Sequence, residues 1–592
     1  MTLAATAWTL VGCQALKPSE SAAAKPAFEL EVQAPDDVRE LLQQQTELQH
    51  FRNFERLSDM EINRLIGMAP DDIRELMATQ GYFSPDIEIQ RENRTGQIPI
   101  IRIKVQNGPA TQVSQVDIQY QGDIAGRPDA DVARQRAQIR AGWSLPAGQR
   151  FGQSAWSSAK TGAVRALTAR RYLAGRVAAS QADIDPEARQ ARLSVTLDSG
   201  PAYHFGDYQV SGLQRYDQTL MVERFARIPK GSDYSLDELL AAQQRLAASG
   251  YFDSVYLYVD PDSPPQSAPI QVQVTEAKMQ KIVLGPGYST DEGARLSAQH
   301  IYQRIPGLGW KATSELSISQ ETRTASVELL SPPDAGYWRN SVAAALTDTD
   351  YADLNVKGQS LKVGRTRTSD DGNDDLSYFV QLERDEESST LGSQLTSATM
   401  LGGSWTRRRF DNASFPTRGW GLGLDAGVGF TMSGKQYPFT RIGARALGFV
   451  PLPGDAGRIA LRAQGAAVTA RTEAPVPASL EFLTGGDATV RGYSYRSLGV
   501  TTDGVTVPGR YLALGSVEWQ RPIRVGGRPS DWESLVFIDS GAVADKPQEL
   551  SFSTGIGVGA RWRSPIGPFQ ISTAYGLQAK EFRLHLAVGF VF

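Results

Sequence analysis

The last eleven residues, FRLHLAVGFVF (582–592), alternate apolar residues with small or polar ones almost without error. One face of this stretch consists of Phe582, Leu584, Leu586, Val588, Phe590 and Phe592. A tilted strand of about 9–11 residues crosses a bilayer, and a membrane barrel presents apolar side chains to lipid at every second position. The pattern therefore predicts a membrane-spanning strand at this end of the chain.

The same texture extends back through the second half of the chain. Between residues 419 and 430 one face holds Trp420, Leu422, Leu424, Ala426, Val428 and Phe430, and the other holds mainly glycines. About 315 residues with this texture make roughly sixteen strands of about ten residues with their turns. We expect residues 277–592 to form a transmembrane antiparallel β-barrel of about sixteen strands, preceded by soluble α+β units.

Composition argues against several classes of function. The 61 basic and 65 acidic residues nearly balance, giving a net charge of −4, so we expect no general nucleic-acid binding. The four histidines are far apart, and the sequence has no zinc-binding helix, nucleophile elbow or phosphate-binding loop. We expect that this protein is not an enzyme and that it has no catalytic residues, no metal site and no cofactor.

Residues 1–27 have the composition of a targeting segment and linker. Leu10-Val11-Gly12-Cys13 resembles a lipoprotein cleavage box, which predicts export and a lipid on Cys13, the single cysteine. No Lys or Arg precedes the apolar stretch, however, although a signal peptide ordinarily has a charged start. Either the start codon is misplaced or the box is accidental, and lipidation of Cys13 stays open.

Three weakly similar units follow, at 28–108, 109–200 and 201–276. Each contains a tyrosine, Tyr82, Tyr172 or Tyr251, at the end of a helical pattern and before alternating strands. Gly250 has the place of a helix C-cap. Repeats of this size predict an array of small domains.

An acidic segment, Ser369 to Asp375, stands within the barrel region. Acidic runs are commonly solvated, so we expect an outer loop here. A cation site is the alternative.

Five segments of the barrel region together resemble the outer-membrane assembly superfamily, in which periplasmic POTRA domains precede a sixteen-stranded barrel. The most specific is Val490-Arg491-Gly492-Tyr493, in a long loop that also contains Phe482–Gly486. The others are Phe537–Gly541, Asp411-Asn412, Pro416–Gly419 and Ser564–Pro568. The resemblance implies that the three repeats are POTRA domains 1 to 3.

Within that superfamily, the chain most resembles the translocation and assembly module subunits, because three repeats precede its barrel. The resemblance implies bacterial outer-membrane location, contact with outer-membrane lipid, and a role in inserting unfolded outer-membrane proteins such as autotransporters. It also implies a TamB-like, inner-membrane-anchored partner. A two-partner secretion transporter, a passive pore and a structural tether are the alternatives.

The resemblance also implies roles for particular residues. Arg491, at the tip of the loop, would meet Asp539 and Glu518 on the barrel wall, because a guanidinium fork suits carboxylates. Gly492 would allow the turn, and Tyr493 would pack against the wall. The alternative is an ion cluster that only stiffens the barrel.

The barrel is expected to close between a first strand near Met279–Tyr288 and the last strand. Gly285-Pro286-Gly287 should interrupt pairing of the first strand, because proline has no amide to donate. We expect a lateral seam lined by Gly285, Pro286, Gly287, Phe582, Leu584, Phe590 and Phe592.

Overall fold

A computed structural model describes residues 26–54, 57–217, 219–351, 353–390, 392–412, 415–564 and 567–588. Cys13, Phe590 and Phe592 lie outside these ranges. The described part of the chain contains three small α+β repeats and a sixteen-stranded sheet. Among the described helices, none combines the length and apolar character needed to span a membrane.

The first repeat places three helices against a three-stranded sheet. Its elements are β1 (Glu29–Gln33), α1 (Asp36–Gln45), α2 (Glu47–Phe51), α3 (Asp59–Thr79), β2 (Asp86–Glu92) and β3 (Ile100–Gln106). The central strand is β3, parallel to β1 and antiparallel to β2. Helix α3 starts with a capping box between Ser58 and Glu61, and its buried side chains face the sheet.

The second repeat has the same sheet order. Its elements are β4 (Gln112–Gln121), α4 (Asp123–Gly126), α5 (Ala130–Ala141), α6 (Gln153–Thr168), β5 (Arg176–Asp185) and β6 (Gln190–Asp198). Strand β6 is central, parallel to β4 and antiparallel to β5. Trp143 and Trp156 meet edge to face in the core.

The third repeat again ends on its central strand. Its elements are β7 (Phe205–Ser211), a π-helical turn (Thr219–Glu223), α7 (Arg224–Ala226), α8 (Leu236–Ala248), β8 (Phe252–Val259), a 3-10 turn (Pro265–Ser267) and β9 (Ala268–Glu276). The order of this sheet is β7-β9-β8.

The repeated tyrosines are buried in all three units. Each follows a residue with positive φ after a helix: Gly81 at 86°, Arg171 at 59° and Gly250 at 77°. A left-handed residue is a common way to end a helix, and it favours glycine. Arg171 adopts this conformation despite its side chain. The motif therefore works as a helix stop followed by a core anchor.

The described residues fall into two compact units. One contains the first two repeats, the start of the third repeat as far as Gly206, and Lys230–Leu236 and Asp260–Ala268 of the third repeat. The other contains the remainder of the third repeat together with the barrel.

Sixteen antiparallel strands form the barrel sheet in chain order, which confirms the predicted fold class. They are β10 (Gln280–Ser289), β11 (Gly293–Tyr302), β12 (Lys311–Ile318), β13 (Thr322–Leu330), β14 (Arg339–Tyr351), β15 (Leu354–Thr368), β16 (Asp374–Ser389), β17 (Gly392–Phe410), β18 (Gly419–Thr431), β19 (Pro438–Pro451), β20 (Arg458–Ala470), β23 (Tyr511–Val525), β24 (Arg528–Ala544), β25 (Ser553–Ser564), β26 (Gly567–Gly576) and β27 (Glu581–Val588). Two short strands, β21 (Val500–Thr502) and β22 (Val505–Val507), form a separate hairpin inside the loop between β20 and β23.

Apolar side chains cover the outer face of the barrel. Trp420, Leu424, Val428 and Phe430 are all exposed on β18, as their alternation predicted. We call the end of the barrel at which β10 begins the near end, and the opposite end the far end. Because strands alternate in direction, the turn from β15 to β16 lies at the near end and the turn from β10 to β11 at the far end.

One expectation about the first strand is wrong. Strand β10 pairs with β11 without a break, and Pro286 stands opposite Leu296 in the register. An edge strand tolerates proline when its nitrogen faces away from the paired neighbour. Gly285-Pro286-Gly287 therefore does not interrupt pairing on this side of β10.

Candidate functional site

The long loop between β20 and β23, residues 471–510, is anchored at two places on the inner barrel wall. Near its start, a 3-10 turn at Ala478–Leu480 directs backbone amides at carboxylates of β16. Asp385 Oδ2 accepts a hydrogen bond from Ser479 N at 2.8 Å, and Glu387 Oε1 accepts one from Ala478 N at 3.2 Å. This first anchor holds the base of the loop.

The second anchor is Arg491, at the loop tip. Its Nε and Nη2 donate to the two carboxylate oxygens of Asp539 at 2.6 and 2.9 Å, and its Nη1 donates to Glu518 Oε2 at 2.7 Å. The guanidinium also lies over the ring of Phe537, 3.3 Å from its centroid. Arg491 is only 4% exposed and Asp539 is fully buried, so water does not screen this pairing.

The backbone around Arg491 requires glycine both in the loop and in the wall. Gly492 has a φ of 97°, and a Cβ there would press on the backbone of Gly576. On the wall, a Cβ at Gly555 would overlap the carbonyl oxygen of Arg491. Because both positions lack a side chain, the tip lies directly on the strand backbones.

The residues flanking Arg491 complete the contact of the loop tip. Val490 is fully buried, and its side chain lies against Gly541 of β24. The Tyr493 hydroxyl donates to Gln578 Oε1 at 2.5 Å and lies 3.2 Å from the carbonyl oxygen of Thr554. The structure thus brings together all six residues that the resemblance singled out, Val490, Arg491, Gly492 and Tyr493 of the loop with Glu518 and Asp539 of the wall.

An ion cluster that sequence reasoning missed continues from Glu518 along the wall. Arg561 Nη2 donates to Glu518 Oε1 at 3.0 Å. Fully buried Glu533 accepts two hydrogen bonds from Arg458 at 2.9 Å and forms an ion pair with Arg563 at 2.9 Å. The five residues belong to four strands, β20, β23, β24 and β25, so no local motif identifies the cluster.

His585 of the last strand was also missed. Its Nε2 accepts a hydrogen bond from Gly492 N at 2.9 Å, so the proton of the neutral ring must be on Nδ1. That nitrogen lies 3.9 Å from Asp291 Oδ1, in the turn between β10 and β11. Asp291 Oδ2 in turn accepts from Asp487 N at 2.5 Å. The loop tip therefore contacts both the last strand and the first hairpin.

The first and last strands lie next to each other but are the two ends of the sheet. Over the described residues, which reach Val588 on β27, no β-ladder joins them. Leu586 N donates to Thr290 Oγ1 at 3.2 Å across this gap. Phe582 and Leu584, expected at the seam, point outward and are 77% and 57% exposed.

The acidic segment from Ser369 to Asp375 is exposed at Asp370 and Asp371, but it does not form an outer loop, and that part of the expectation is corrected. It forms the turn between β15 and β16 at the near end, where its carboxylates pair with three consecutive arginines, 407–409, on β17. Hydrogen bonds from Ser369, Asn373 and Arg409 hold the pKa of Asp371 below its usual range. Asp370 pairs with Arg227 of the third repeat at 3.0 Å. In the described part of the chain, no three His, Cys, Asp or Glu side chains are grouped as metal ligands.

Comparisons with known proteins agree with this architecture. Residues 283–592, more than half of the chain, match the family model described as the Omp85 superfamily domain. The outer membrane protein assembly factor BamA of Neisseria meningitidis serogroup B is 21% identical over 474 residues, covering 67% of this chain. The chain spans 57% of the length of that relative.

One solved structure is similar in fold, and a second is more distant. BamA from Haemophilus ducreyi lacking POTRA domains 1–3 has a TM-score of 0.59 at 17% identity, covering 80% of this chain and 98% of that chain. CdiB from Acinetobacter baumannii has a TM-score of 0.45 at 13% identity, covering 90% of this chain and 99% of that chain. With its POTRA-like repeats, sixteen-stranded barrel and matching family model, the chain belongs to the Omp85 superfamily.

Proposed function

We propose that this protein is an outer-membrane insertion and translocation factor of the TamA type. It assists the assembly of autotransporters and other β-barrel proteins by opening sideways between β10 and β27. In this proposal the barrel lies in the bacterial outer membrane and contacts its lipid. The three repeats act as POTRA domains in the periplasm.

The seam, which no ladder joins over the described residues, is the observation that carries the proposal. An unpaired backbone group in hydrocarbon costs several kcal/mol, so a barrel can part most easily where no ladder has to be broken. Strands β10 and β27 meet without one over the described residues. An opened seam exposes strand edges that can pair with an incoming strand.

The three repeats supply further sheet edges. Their number favours the TamA assignment within the superfamily. Each three-stranded sheet has its first strand at one edge and its second at the other. Such edges accept an extended chain by strand addition, so unfolded substrates and a TamB-like partner can dock there. Binding and strand pairing supply the free energy, and the proposal includes no catalytic step.

A reversible cross-link across the seam tests the proposal. Thr290→Cys with Leu586→Cys, in a Cys13→Ser background, replaces two residues that a hydrogen bond from Leu586 N to Thr290 Oγ1 joins across the gap. Oxidation should stop assembly of an autotransporter reporter, and a reductant should restore it. Formation of the disulfide is read from gel mobility with and without reductant.

The matched control is Ser388→Cys with Ser393→Cys in the same background. These serines face each other across the β16–β17 ladder, with their hydroxyls 3.1 Å apart. A disulfide there closes strands that are already paired, so assembly should continue. Full activity of the oxidised seam variant would refute lateral opening.

A further inference from the structure

A cavity of about 770 Å³ lies inside the barrel beneath the loop tip. Helix α8 of the third repeat, near-end residues of several strands and loop residues Asp487, Ala488 and Arg491 line it. Aromatic side chains, among them Phe225, Phe410 and Phe449, form part of its wall. The cavity is thus partly apolar and reaches from the third repeat to the loop anchor.

Positive charge predominates in the lining. Eight lining side chains are arginines and five are carboxylates, an excess of three positive charges. A charge that is removed from water is costly unless an opposite charge or hydrogen bonds compensate it. The lining arginines that lack an acidic partner are therefore the ones whose charge is least compensated.

Among the described residues, three lining arginines have no carboxylate within ion-pair distance. Arg245 donates to the carbonyl oxygens of Phe225, Ala226 and Asp370, and burial lowers its pKa. Arg462 donates to the carbonyl oxygens of Ala488 and Thr489.

Arg339 is the third of these arginines. It donates to Ser331 O at 2.8 Å and lies over the ring of Phe225. Its Nη2 is buried without a hydrogen-bond partner among the described residues. Unlike Arg491, which pairs with Glu518 and Asp539, none of these three guanidinium groups forms an ion pair with a carboxylate of the described residues.

We propose that this cavity binds an acidic, extended polypeptide segment, whose carboxylates pair with Arg245, Arg339 and Arg462. The three arginines bind different parts of the chain, which suits separated carboxylates better than a single phosphate: Arg245 holds the carbonyl oxygens of Phe225 and Ala226, Arg339 that of Ser331, and Arg462 those of Ala488 and Thr489. Guanidinium groups pair well with carboxylates, and the lining amides of Gln244, Gln520 and Gln570 suit a peptide backbone. The inference rests on the proposed function, in which the occupant is a segment of the unfolded substrate.

Binding of a labelled peptide to the purified full-length protein in detergent tests this inference. The probe is an alternating glutamate–serine peptide of about ten residues, which is extended over about 33 Å. Matched peptides carry glutamine or lysine in place of glutamate. We expect fluorescence anisotropy to show binding of the glutamate peptide, weakened by salt, and little binding of the other two.

Three single variants locate the site. Arg245→Gln, Arg339→Gln and Arg462→Gln should each weaken binding by about tenfold or more, the usual loss for a hydrogen bond to a charged group. Arg524→Gln is the control, because Arg524 pairs with exposed Asp455 and does not line the cavity. Heat-modifiable gel mobility confirms that each barrel is folded.

Several outcomes would overturn the inference. These are equal binding of the glutamine peptide, unchanged affinity in all three variants, and displacement of the peptide by equimolar inorganic phosphate or phosphatidylglycerol in mixed micelles. A protein that assembles the reporter but does not bind the peptide overturns the cavity inference alone. Failure of the seam cross-link while the peptide still binds overturns the proposed function alone.

Discussion

Two strand boundaries of the same barrel are held together in different ways. Strands β16 and β17 pair over sixteen consecutive register positions, from Asp374 opposite Arg407 to Ser389 opposite Gly392. Strands β10 and β27 are joined by no ladder over the described residues. Side chains and the loop tip bridge them instead, through Asp291 and His585.

The difference indicates where the barrel can open. Breaking the β16–β17 ladder would leave many backbone groups unpaired at once, each costing several kcal/mol in hydrocarbon. Over the described residues, opening the seam requires the loss of a few side-chain contacts, worth about 0.5–1.5 kcal/mol per neutral hydrogen bond. We therefore expect changes at the loop tip to loosen the seam and to leave the β16–β17 boundary intact.

The largest effect is expected from Arg491→Ala. It leaves Asp539 buried beside Glu518 without the guanidinium, and breaking such a buried pair costs about 3–5 kcal/mol. Amides of β27 should exchange with solvent much faster while those of β16 and β17 stay protected, and reporter assembly should fail. Unimpaired assembly at normal barrel levels would instead mean that the cluster only stiffens the wall.

Gly555→Ala should displace the loop tip without changing any charge. The added methyl overlaps the carbonyl oxygen of Arg491, and overpacking of this kind costs about 1–3 kcal/mol. Exchange at β27 should rise moderately. Gly515→Ala on β23 is the matched control, since a Cβ there meets no atom within 4 Å. Equal behaviour of the two variants would contradict direct contact of the tip with β25.

A smaller, pH-dependent effect is expected at Asp291. Burial, together with neighbouring Asp487 and Glu292, raises the pKa of Asp291. The folded protein therefore keeps this proton at pH values where the unfolded chain releases it, and the free energy of unfolding falls as pH rises above the ordinary carboxyl range. After correction for intrinsic exchange rates, seam amides should be less protected at about pH 8 than at about pH 5.

Asp291→Asn separates this effect from other titrations. An amide keeps the shape but cannot ionise, so the difference in seam protection between the two pH values should shrink. His585 also lies beside Asp291 and can titrate in the same range. An undiminished difference in Asp291→Asn would assign the pH dependence to another group.

The smallest effect is expected from Tyr493→Phe. It removes the hydroxyl that donates to Gln578 but keeps the buried ring, at a cost of about 1 kcal/mol. Hydrogen exchange should rise slightly around Gln578 and remain unchanged at β16. A loss of assembly as large as that of Arg491→Ala would show that the hydroxyl has a further role.

The sequence alone was enough to predict the barrel and the centre of its loop contact. Alternation of apolar residues is a local property, because successive side chains of a strand point to opposite faces. It predicted the sixteen-stranded barrel and the outward positions of Phe582 and Leu584. The resemblance built around Val490-Arg491-Gly492-Tyr493 predicted that Arg491 meets Glu518 and Asp539. It could do so because that motif is contiguous and specific.

Other contacts between distant residues were decided only by the tertiary structure. His585 and Asp291 are almost 300 residues apart, and the curvature that brings the first hairpin beside the last strand has no local signature. Glu533 and Arg458 likewise meet without any local signature in the sequence. The acidic turn at Ser369–Asp375 lies at the near end because successive strands run in opposite directions. Strand periodicity is a property of short stretches of sequence, whereas closure of the sheet depends on the registers of all its strands together.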